Sequence, residues 1–199
     1  MALSIIPVGT QLKRDPLEQL SAFLRERLGS FYPDVLVTNQ SMIDPELDPT
    51  LYAALRIADR SVQGFTVDLT SHPFSPEIPL CDRLEQLQFS SPYVVITDKP
   101  LLAKISPGGA YEHLLYTAGT LTDVVVSTYA FQDDPLKVIS RLKPLLLHGI
   151  GLNIGLAYHP ASERGTGCPM QSLEGKKWIP HLFDLMDDRY CELCRRTVE

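Results

Sequence analysis

Three of the four cysteines stand near the end of the chain, at Cys168, Cys191 and Cys194, and this clustering constrains how that region can fold. The spacing Cys191-x-x-Cys194 lets two thiolates bind one metal ion, and Cys168 adds a third soft ligand. His159 can complete a Cys₃His tetrahedron, and His181 is the competing candidate for the fourth position. The loops here are rich in glycine and lack an apolar pattern, so a metal is what would order them. The sequence therefore predicts one structural zinc ion as the cofactor.

Two other interpretations of these cysteines are weaker. Three buried free thiols beside an unrelated histidine would leave the tail without a device that orders it. A redox pair at Cys191 and Cys194 lacks the strand-to-helix context of thioredoxin-like pairs, and Glu192 discourages thiolate formation. In a reducing cytosol the spacing also favours a metal site over disulfide bonds.

A glycine-rich apolar stretch precedes the tail and contains His148. A helical peptidase site needs histidines at positions i and i+4, which share one helix face, and a glutamate beside the first histidine as general base. Here the residue at i+4 is Leu152, which has no lone pair, and Gly149 has no side chain at the base position. Tyr158, six residues after Leu152, is a poor ligand because a phenol ionises only near pH ~10. These residues predict that no catalytic zinc is held.

The two regions together resemble a known family. The frame H-E-x-x-H-x-x-G-x-x-H with a later methionine is that of metzincin zinc proteases, with His148 at the first histidine and Gly155 at the glycine. The cysteines narrow the resemblance to archaemetzincins, with His159 where the family has its first cysteine and Met170 as the Met-turn residue. The resemblance implies an archaemetzincin-like fold with a mixed sheet, an active-site-type helix and a zinc-stabilised C-terminal loop region.

Strand-like segments extend the resemblance toward the N-terminus. They are Ile5–Gly9, Tyr93–Asp98 and Asp123–Tyr129. The similarity is strongest from Tyr93 to Arg196. The chain has extra residues on both sides of Met170 compared with the family, and both insertions fall in predicted loops, where added length costs little entropy.

The resulting hypothesis is an inactive peptidase homologue that keeps one structural zinc ion but lacks the catalytic one. It would act by binding a peptide or protein partner in what we name the relict cleft. The relict cleft is the surface around His148, Gly149, Leu152 and Tyr158. The alternative is an active zinc-dependent metallopeptidase with a rearranged site that recruits His148, His159 or Glu163.

Segments with the pattern of a β-strand alternate with segments that carry an apolar stripe at helical spacing. This alternation predicts one α/β domain over residues 1–199 with a mixed sheet. The predicted strands are Leu3–Val8, Val35–Val37, Tyr93–Thr97 and Val124–Tyr129. Aspartate as N-cap and proline at the first helical position predict three helix starts. These starts are Asp15-Pro16, Asp48-Pro49 and Asp134-Pro135. Residues 65–92 are predicted to form an irregular excursion of the same domain.

The first predicted helix has an apolar stripe and ends at Gly29. Its stripe is formed by Leu17, Leu20, Leu24 and Leu28. The helix that begins after Asp134 is predicted to kink or restart at Pro144 and to stop at a left-handed Gly155. Its stripe is formed by Leu136, Ile139 and Leu142.

The charge and hydropathy of the chain exclude two classes of partner. The formal net charge of −6 gives no basic field for phosphate backbones, so nucleic-acid binding is not expected. The N-terminus lacks the pattern of a signal peptide, and no apolar run approaches the roughly 20 residues that a membrane span needs. The sequence therefore predicts a soluble cytoplasmic protein with no membrane partner.

Overall fold

The computed structural model describes much of the chain outside the region around residues 39–91. The described residues are 1–8, 10, 12–38, 92–98, 101–104, 111–114, 116–118, 124–128, 131, 134–159, 167–171 and 183–198. The predicted helix that starts at Asp48, the irregular segment up to residue 91, Glu163 and His181 therefore lie outside the described residues.

Among the described residues, a five-stranded sheet forms the centre of the molecule. Its strands are β1 (Ala2–Pro7), β2 (Asp34–Val37), β3 (Tyr93–Thr97), β6 (Tyr116–Ala118) and β7 (Val124–Ser127). Their order is β2-β1-β3-β7-β6, with four parallel strands and β6 antiparallel at the edge. A separate antiparallel pair consists of β4 (Leu101–Lys104) and β5 (Tyr111–Leu114). The prediction of an α/β fold with a mixed sheet is confirmed.

The two central strands β3 and β7 are buried along their whole length. They pair in register, with Val94 opposite Val124 and Ile96 opposite Val126. Parallel strands that are covered on both faces consist of continuous runs of β-branched residues. Both strands could be predicted from the sequence because they contain such runs. The predicted strands at the N-terminus and at Val35–Val37 are likewise confirmed as β1 and β2.

Helix α1 spans Arg14–Leu28 and packs its predicted leucine stripe into the core. Its start differs from the prediction, because Asp15 is not the N-cap. The cap is Lys13, whose side chain makes no capping bond, and Asp15 lies within the first turn. A carboxylate there still interacts favourably with the positive end of the helix. Gly29 is the C-cap as predicted, but with right-handed dihedral angles (φ −60°).

Helix α2 spans Val138–Asn153 and follows a 3₁₀ turn at Pro135–Lys137. The predicted restart at Pro144 does not occur, because the helix continues through it as one element. Leu136, predicted on the buried stripe, is 95% exposed. The reason is that a 3₁₀ turn advances about 120° per residue rather than about 100°, so Leu136 falls out of phase with the stripe. The predicted left-handed stop is confirmed, since Gly155 has φ +88°.

A short helix, α3, spans Glu192–Val198 and packs near the end of α1. The Ser30 hydroxyl donates a hydrogen bond to the Val198 carbonyl at 2.7 Å, and Arg27 Nε donates to the Asp188 carbonyl at 2.9 Å. These contacts attach the cysteine-containing tail to the sheet domain. In the part of the chain that the structure describes, none of the helices has the length and apolarity to span a membrane.

Candidate metal centre and relict cleft

Four side chains from three separate segments converge at the C-terminal end of the fold. His159 follows α2, Cys168 lies in the next described loop, and Cys191 and Cys194 lie just before and within α3. One ligand atom from each residue lies within 4.8 Å of the others. His159, Cys168 and Cys194 are buried, and Cys191 is half-buried.

The distances between these atoms fit a tetrahedral zinc ion. The Cys168 and Cys194 sulfurs are 4.0 Å apart, and Cys191 Sγ is 3.5 Å from His159 Nε2. Zinc bond lengths of ~2.3 Å to sulfur and ~2.0 Å to nitrogen imply tetrahedral spacings of about 3.8 Å and about 3.6 Å. The cluster can therefore hold one zinc ion with little movement, as the cofactor prediction requires.

Burial opposes the ionisation of these thiols, as the directions of their pKa shifts show. Burial raises the pKa of Cys168 and of Cys194. Burial acts in the same direction on Cys191, but hydrogen bonds from the Cys194 backbone and from the neighbouring thiols outweigh it and lower the pKa. Three adjacent thiolates need a cation between them, and zinc supplies that charge.

Backbone hydrogen bonds hold the ligand-bearing segments next to one another. His159 forms a parallel bridge with Gln171, and its N–H donates to the Met170 carbonyl at 3.2 Å. The Cys191 N–H points at Cys168 Sγ at 3.4 Å. These bonds bring His159 and Cys191 to the same loop, the first through backbone atoms alone and the second through the Cys168 sulfur.

The loop Cys168–Met170 packs directly beneath α2. A β-carbon on Gly151 would lie 2.5 Å from Met170 Sδ and 3.0 Å from the Tyr190 hydroxyl oxygen, so only glycine allows this approach. Tyr190 donates its hydroxyl proton to the Leu147 carbonyl at 2.6 Å. Burial raises the pKa of Tyr190 well above its usual value, so the hydroxyl stays a donor. The metal loop and α2 thus form one packed unit.

His148 lies on α2 against the other side of this loop and is only 1% exposed. Its Nδ1 is hydrogen-bonded to the Pro169 carbonyl, which can only accept, so Nδ1 carries the proton. Nε2 then presents its lone pair toward the Tyr158 hydroxyl at 3.5 Å, and the ring centroids are 5.4 Å apart. Burial lowers the pKa of His148, although the Pro169 hydrogen bond opposes that shift, and the ring stays neutral.

The other two positions of the relict cleft on α2, Gly149 and Leu152, are packing positions. A β-carbon at Gly149 would lie 2.6 Å from Cγ1 of Val124 on β7, so this helix position faces the sheet at very close range. Leu152 is half-buried and packs against the hydrophobic core. Tyr158 is 51% exposed. Within the described ranges, His148 is not part of any group of three metal-ligand side chains.

Sequence reasoning missed an ion pair that holds the region together. Arg141 on α2 is 1% exposed, and its Nε and Nη2 donate to the two Asp184 carboxylate oxygens at 2.8 and 3.0 Å. Its guanidinium also lies 5.7 Å from the centre of the Phe131 ring. The hydrogen bonds from Arg141 lower the pKa of Asp184 to about 2. The sequence carried no local signal for this pair, because Ser140 and Lys143 beside Arg141 are also polar and Asp184 is 43 residues away.

Comparisons with known proteins show that this chain is similar to solved structures in its fold. No family model matches the sequence, and no curated protein matches it either. Solved structures do match over essentially the whole chain. The archaemetzincin of Methanopyrus kandleri has a TM-score of 0.63 at 17% identity, with 100% of this chain and 93% of that chain covered.

Two further structures show the same similarity. The archaemetzincin of Archaeoglobus fulgidus, complexed with malonate, has a TM-score of 0.52 at 15% identity and covers 99% of both chains. A zinc-dependent peptidase from Methanocorpusculum labreanum has a TM-score of 0.58 at 14% identity and covers 100% of both. At these identities the similarity establishes the fold. The predicted resemblance to archaemetzincins is thereby confirmed for the fold.

Proposed function

We propose that this chain is a single-domain, cytoplasmic archaemetzincin-like protein that holds one structural zinc ion and has lost the catalytic one. Its function is to bind a peptide or protein partner in the relict cleft rather than to hydrolyse peptides. The observation that carries the proposal is the contrast between four convergent ligands in the tail and a single histidine in the cleft.

The structural role of the zinc follows from where its ligands come from. His159, Cys168 and the Cys191–Cys194 pair belong to three separate segments of the chain. A metal with four protein ligands has no open position for a substrate water, and such closed sites contribute directly to folding. The ion would therefore join the end of α2, the Met170 loop and α3.

The loss of catalysis follows from the helix positions. A peptidase zinc needs three protein ligands and a base that takes a proton from the bound water. Leu152 has no lone pair with which to bind a metal. A side chain at position 149 would place its β-carbon against Val124, on the sheet. His148 alone, even with Tyr158 beside it, gives at most two ligands and no base.

Binding remains chemically possible in the cleft. His148 is only 1% exposed and its Nε2 faces Tyr158, so the group that a partner meets is the half-exposed Tyr158 hydroxyl, which is both a donor and an acceptor. A peptide backbone carries matching N–H and C=O groups, so the Tyr158 hydroxyl can bind an extended segment. The proposed partner is accordingly a peptide or a protein loop.

The alternative is an active zinc-dependent peptidase with a rearranged site. The similarity to the Methanocorpusculum labreanum peptidase structure speaks for it. Against it, His159 Nε2 lies 3.5 Å from Cys191 Sγ, so recruitment of His159 to the cleft would dismantle the four-ligand cluster.

Zinc stoichiometry tests the proposal. Native mass spectrometry of the purified chain is expected to show one zinc ion, retained in His148→Ala and lost in Cys191→Ser. Peptide hydrolysis with added zinc is expected to stay at background. Two ions per chain, or a chelator-sensitive turnover that His148→Ala abolishes, would support the active-peptidase alternative instead. The absence of any zinc would contradict both.

A further inference from the structure

The zinc cluster, as we name the four ligands His159, Cys168, Cys191 and Cys194, has three thiols that differ in exposure. Cys168 and Cys194 are only 2% and 4% exposed, whereas Cys191 is half-buried. A small cavity of about 130 Å³ lies against Cys191. The other described residues that line it belong to α3 and are Glu192, Leu193 and Arg196. A molecule that enters this cavity therefore meets Cys191 before any other ligand of the cluster.

The size and the charge of this cavity select the kind of molecule that can enter it. A water molecule takes about 30 Å³ in the liquid, so the cavity admits molecules of a few times that size. Hydrogen peroxide is only slightly larger than water, whereas an oxidant such as glutathione disulfide is far larger than the cavity. Glu192 and Arg196 form an ion pair with each other, so the two charged wall residues offset one another and favour a neutral molecule.

Cys191 has a second thiol close by on its own segment. The Arg195 N–H donates to the Cys191 carbonyl at 2.9 Å, so the helical hydrogen bonding of α3 already begins at Cys191. Residues three positions apart in a helix share one face, which brings Cys194 beside Cys191. Their sulfurs lie within 4.8 Å of each other. A disulfide bond of ~2.05 Å therefore needs the two sulfurs to approach by less than about 3 Å.

We propose that the zinc cluster is a peroxide-sensitive switch, in which Cys191 is the thiolate that is oxidised and Cys194 is the thiolate that resolves it. The proposal rests on the structural zinc ion of the proposed function and adds a regulation to it. Hydrogen peroxide transfers one oxygen to Cys191 Sγ, giving a sulfenic acid, and its other oxygen leaves as hydroxide. Cys194 Sγ then attacks Cys191 Sγ, so that the S–S bond forms, the S–O bond breaks and a second hydroxide leaves.

The electrons balance and the consequence for the metal follows. The two thiolates lose two electrons, the peroxide is reduced to two hydroxide ions, and zinc keeps its oxidation state. Only His159 and Cys168 are then left as ligands, which is half of what a structural site needs, so the ion is released. A dithiol reductant returns both thiols. The switch differs from a catalytic redox pair because the metal, and not a strand-to-helix turn, keeps the thiols ionised.

Treatment of the zinc-loaded full-length chain with an equimolar amount of hydrogen peroxide tests the proposal. Native mass spectrometry before treatment is expected to show one zinc ion, which tests the zinc site separately from the switch. After treatment, zinc is expected to be released and peptide mapping to show a Cys191–Cys194 disulfide. When dimedone is present to trap sulfenic acids, the label is expected on Cys191. Dithiothreitol and zinc are expected to restore the starting mass. This part needs no variant.

Leu193→Trp is expected to slow zinc release by about threefold or more, because a larger side chain narrows the cavity and the oxidation of a thiol follows its accessibility. The matched control is Leu185→Trp, the same substitution at a residue that is 76% exposed and does not line the cavity. Leu193 is itself 60% exposed, so neither substitution disturbs the core. A chromogenic chelator follows the release in both variants.

Four outcomes overturn the proposal. They are retention of zinc under peroxide, a dimedone label on Cys168 or Cys194 instead of Cys191, any disulfide other than Cys191–Cys194, and equal release rates in the two tryptophan variants. A chain that carries no zinc before treatment contradicts the proposed zinc site itself, and the switch with it.

Discussion

The zinc cluster (His159, Cys168, Cys191 and Cys194) and the relict cleft lie on the two sides of one loop, Cys168–Met170. They differ in the number of metal-ligand side chains that they bring together. In the cluster, four ligand atoms lie within 4.8 Å of one another. In the cleft, the helix, the left-handed Gly155 and the Met170 packing are present, but the ligand positions hold Leu152 and Tyr158. The comparison teaches that packing alone can hold the backbone of one region in place, whereas the other region also brings four metal-ligand atoms together.

The two regions are also mechanically joined. Cys168 carries a zinc-cluster sulfur, and the next residue, Pro169, supplies the carbonyl that accepts the His148 Nδ1 proton. The loop that orders the tail therefore also sets the orientation of the one histidine left in the cleft. Substitutions on each side of the loop can break or sharpen the comparison.

The largest effect is expected for Cys191→Ser. If four ligands share one ion, loss of a thiolate should release the zinc and expose residues 159–198 to protease. Loss of a structural metal costs upward of about 4 kcal/mol, which corresponds to a drop in Tm of about 10 °C for a chain of this size. Metal analysis, limited proteolysis and calorimetry check this outcome. A variant that keeps its zinc and its protease resistance would refute the four-ligand assignment.

The next largest effect is expected for Asp184→Asn. The substitution leaves the buried Arg141 guanidinium without its carboxylate, and breaking such a pair costs about 3 kcal/mol. The folded-state pKa of Asp184 is depressed to about 2, so its stabilisation is complete above its ordinary pKa of 3.8 and is lost as pH falls toward 2.

Urea unfolding of the wild type and of Asp184→Asn at several pH values measures this effect. The difference between the two proteins should be constant near neutral pH and should narrow between pH ~4 and pH ~2. Asp134→Asn, which removes a more exposed carboxylate that pairs with Lys137, is the matched control and should change little. A difference that does not depend on pH would show that the ion pair is not its source.

A smaller effect is expected for Gly149→Ala, which tests whether position 149 of α2 is packed directly against β7. The new β-carbon would meet Val124 Cγ1 at 2.6 Å, so overpacking should cost about 1–3 kcal/mol. Val124→Ala removes the clashing methyl groups, and the double variant should lose less stability than the sum of the two single variants. Additive losses in urea unfolding would mean that the two residues do not meet and that the cleft is open at this position.

The smallest effect is expected for Tyr158→Phe. The side chain is half-exposed and its hydroxyl is 3.5 Å from His148 Nε2, a long hydrogen bond, so stability should change by less than about 0.5 kcal/mol. Zinc content should remain unchanged. A loss of zinc or a larger destabilisation would show that Tyr158 stabilises the packing of the zinc cluster against α2 rather than only lining the cleft.

Local chemistry accounts for the parts of this protein that the sequence determined. Strands β3 and β7 are continuous β-branched runs because they are buried on both faces, and the leucine stripe of α1 repeats with the helical period. Gly155 indicates where α2 ends, since residues other than glycine rarely adopt its left-handed φ of +88°. The residue types of the zinc cluster are also evident in the sequence, because structural zinc sites are built from cysteine and histidine.

Tertiary structure decided what depends on residues that are distant in the sequence. Whether Gly149 faces a cleft or the sheet depends on how closely α2 approaches Val124, and the Arg141 partner Asp184 is on a different segment. A cavity lined by Thr10, Asp98 and Thr128 exists because three strands end at the same edge. Hydrophobic periodicity reports which face of an element is buried but not which element covers it, so these features are determined only when the elements pack.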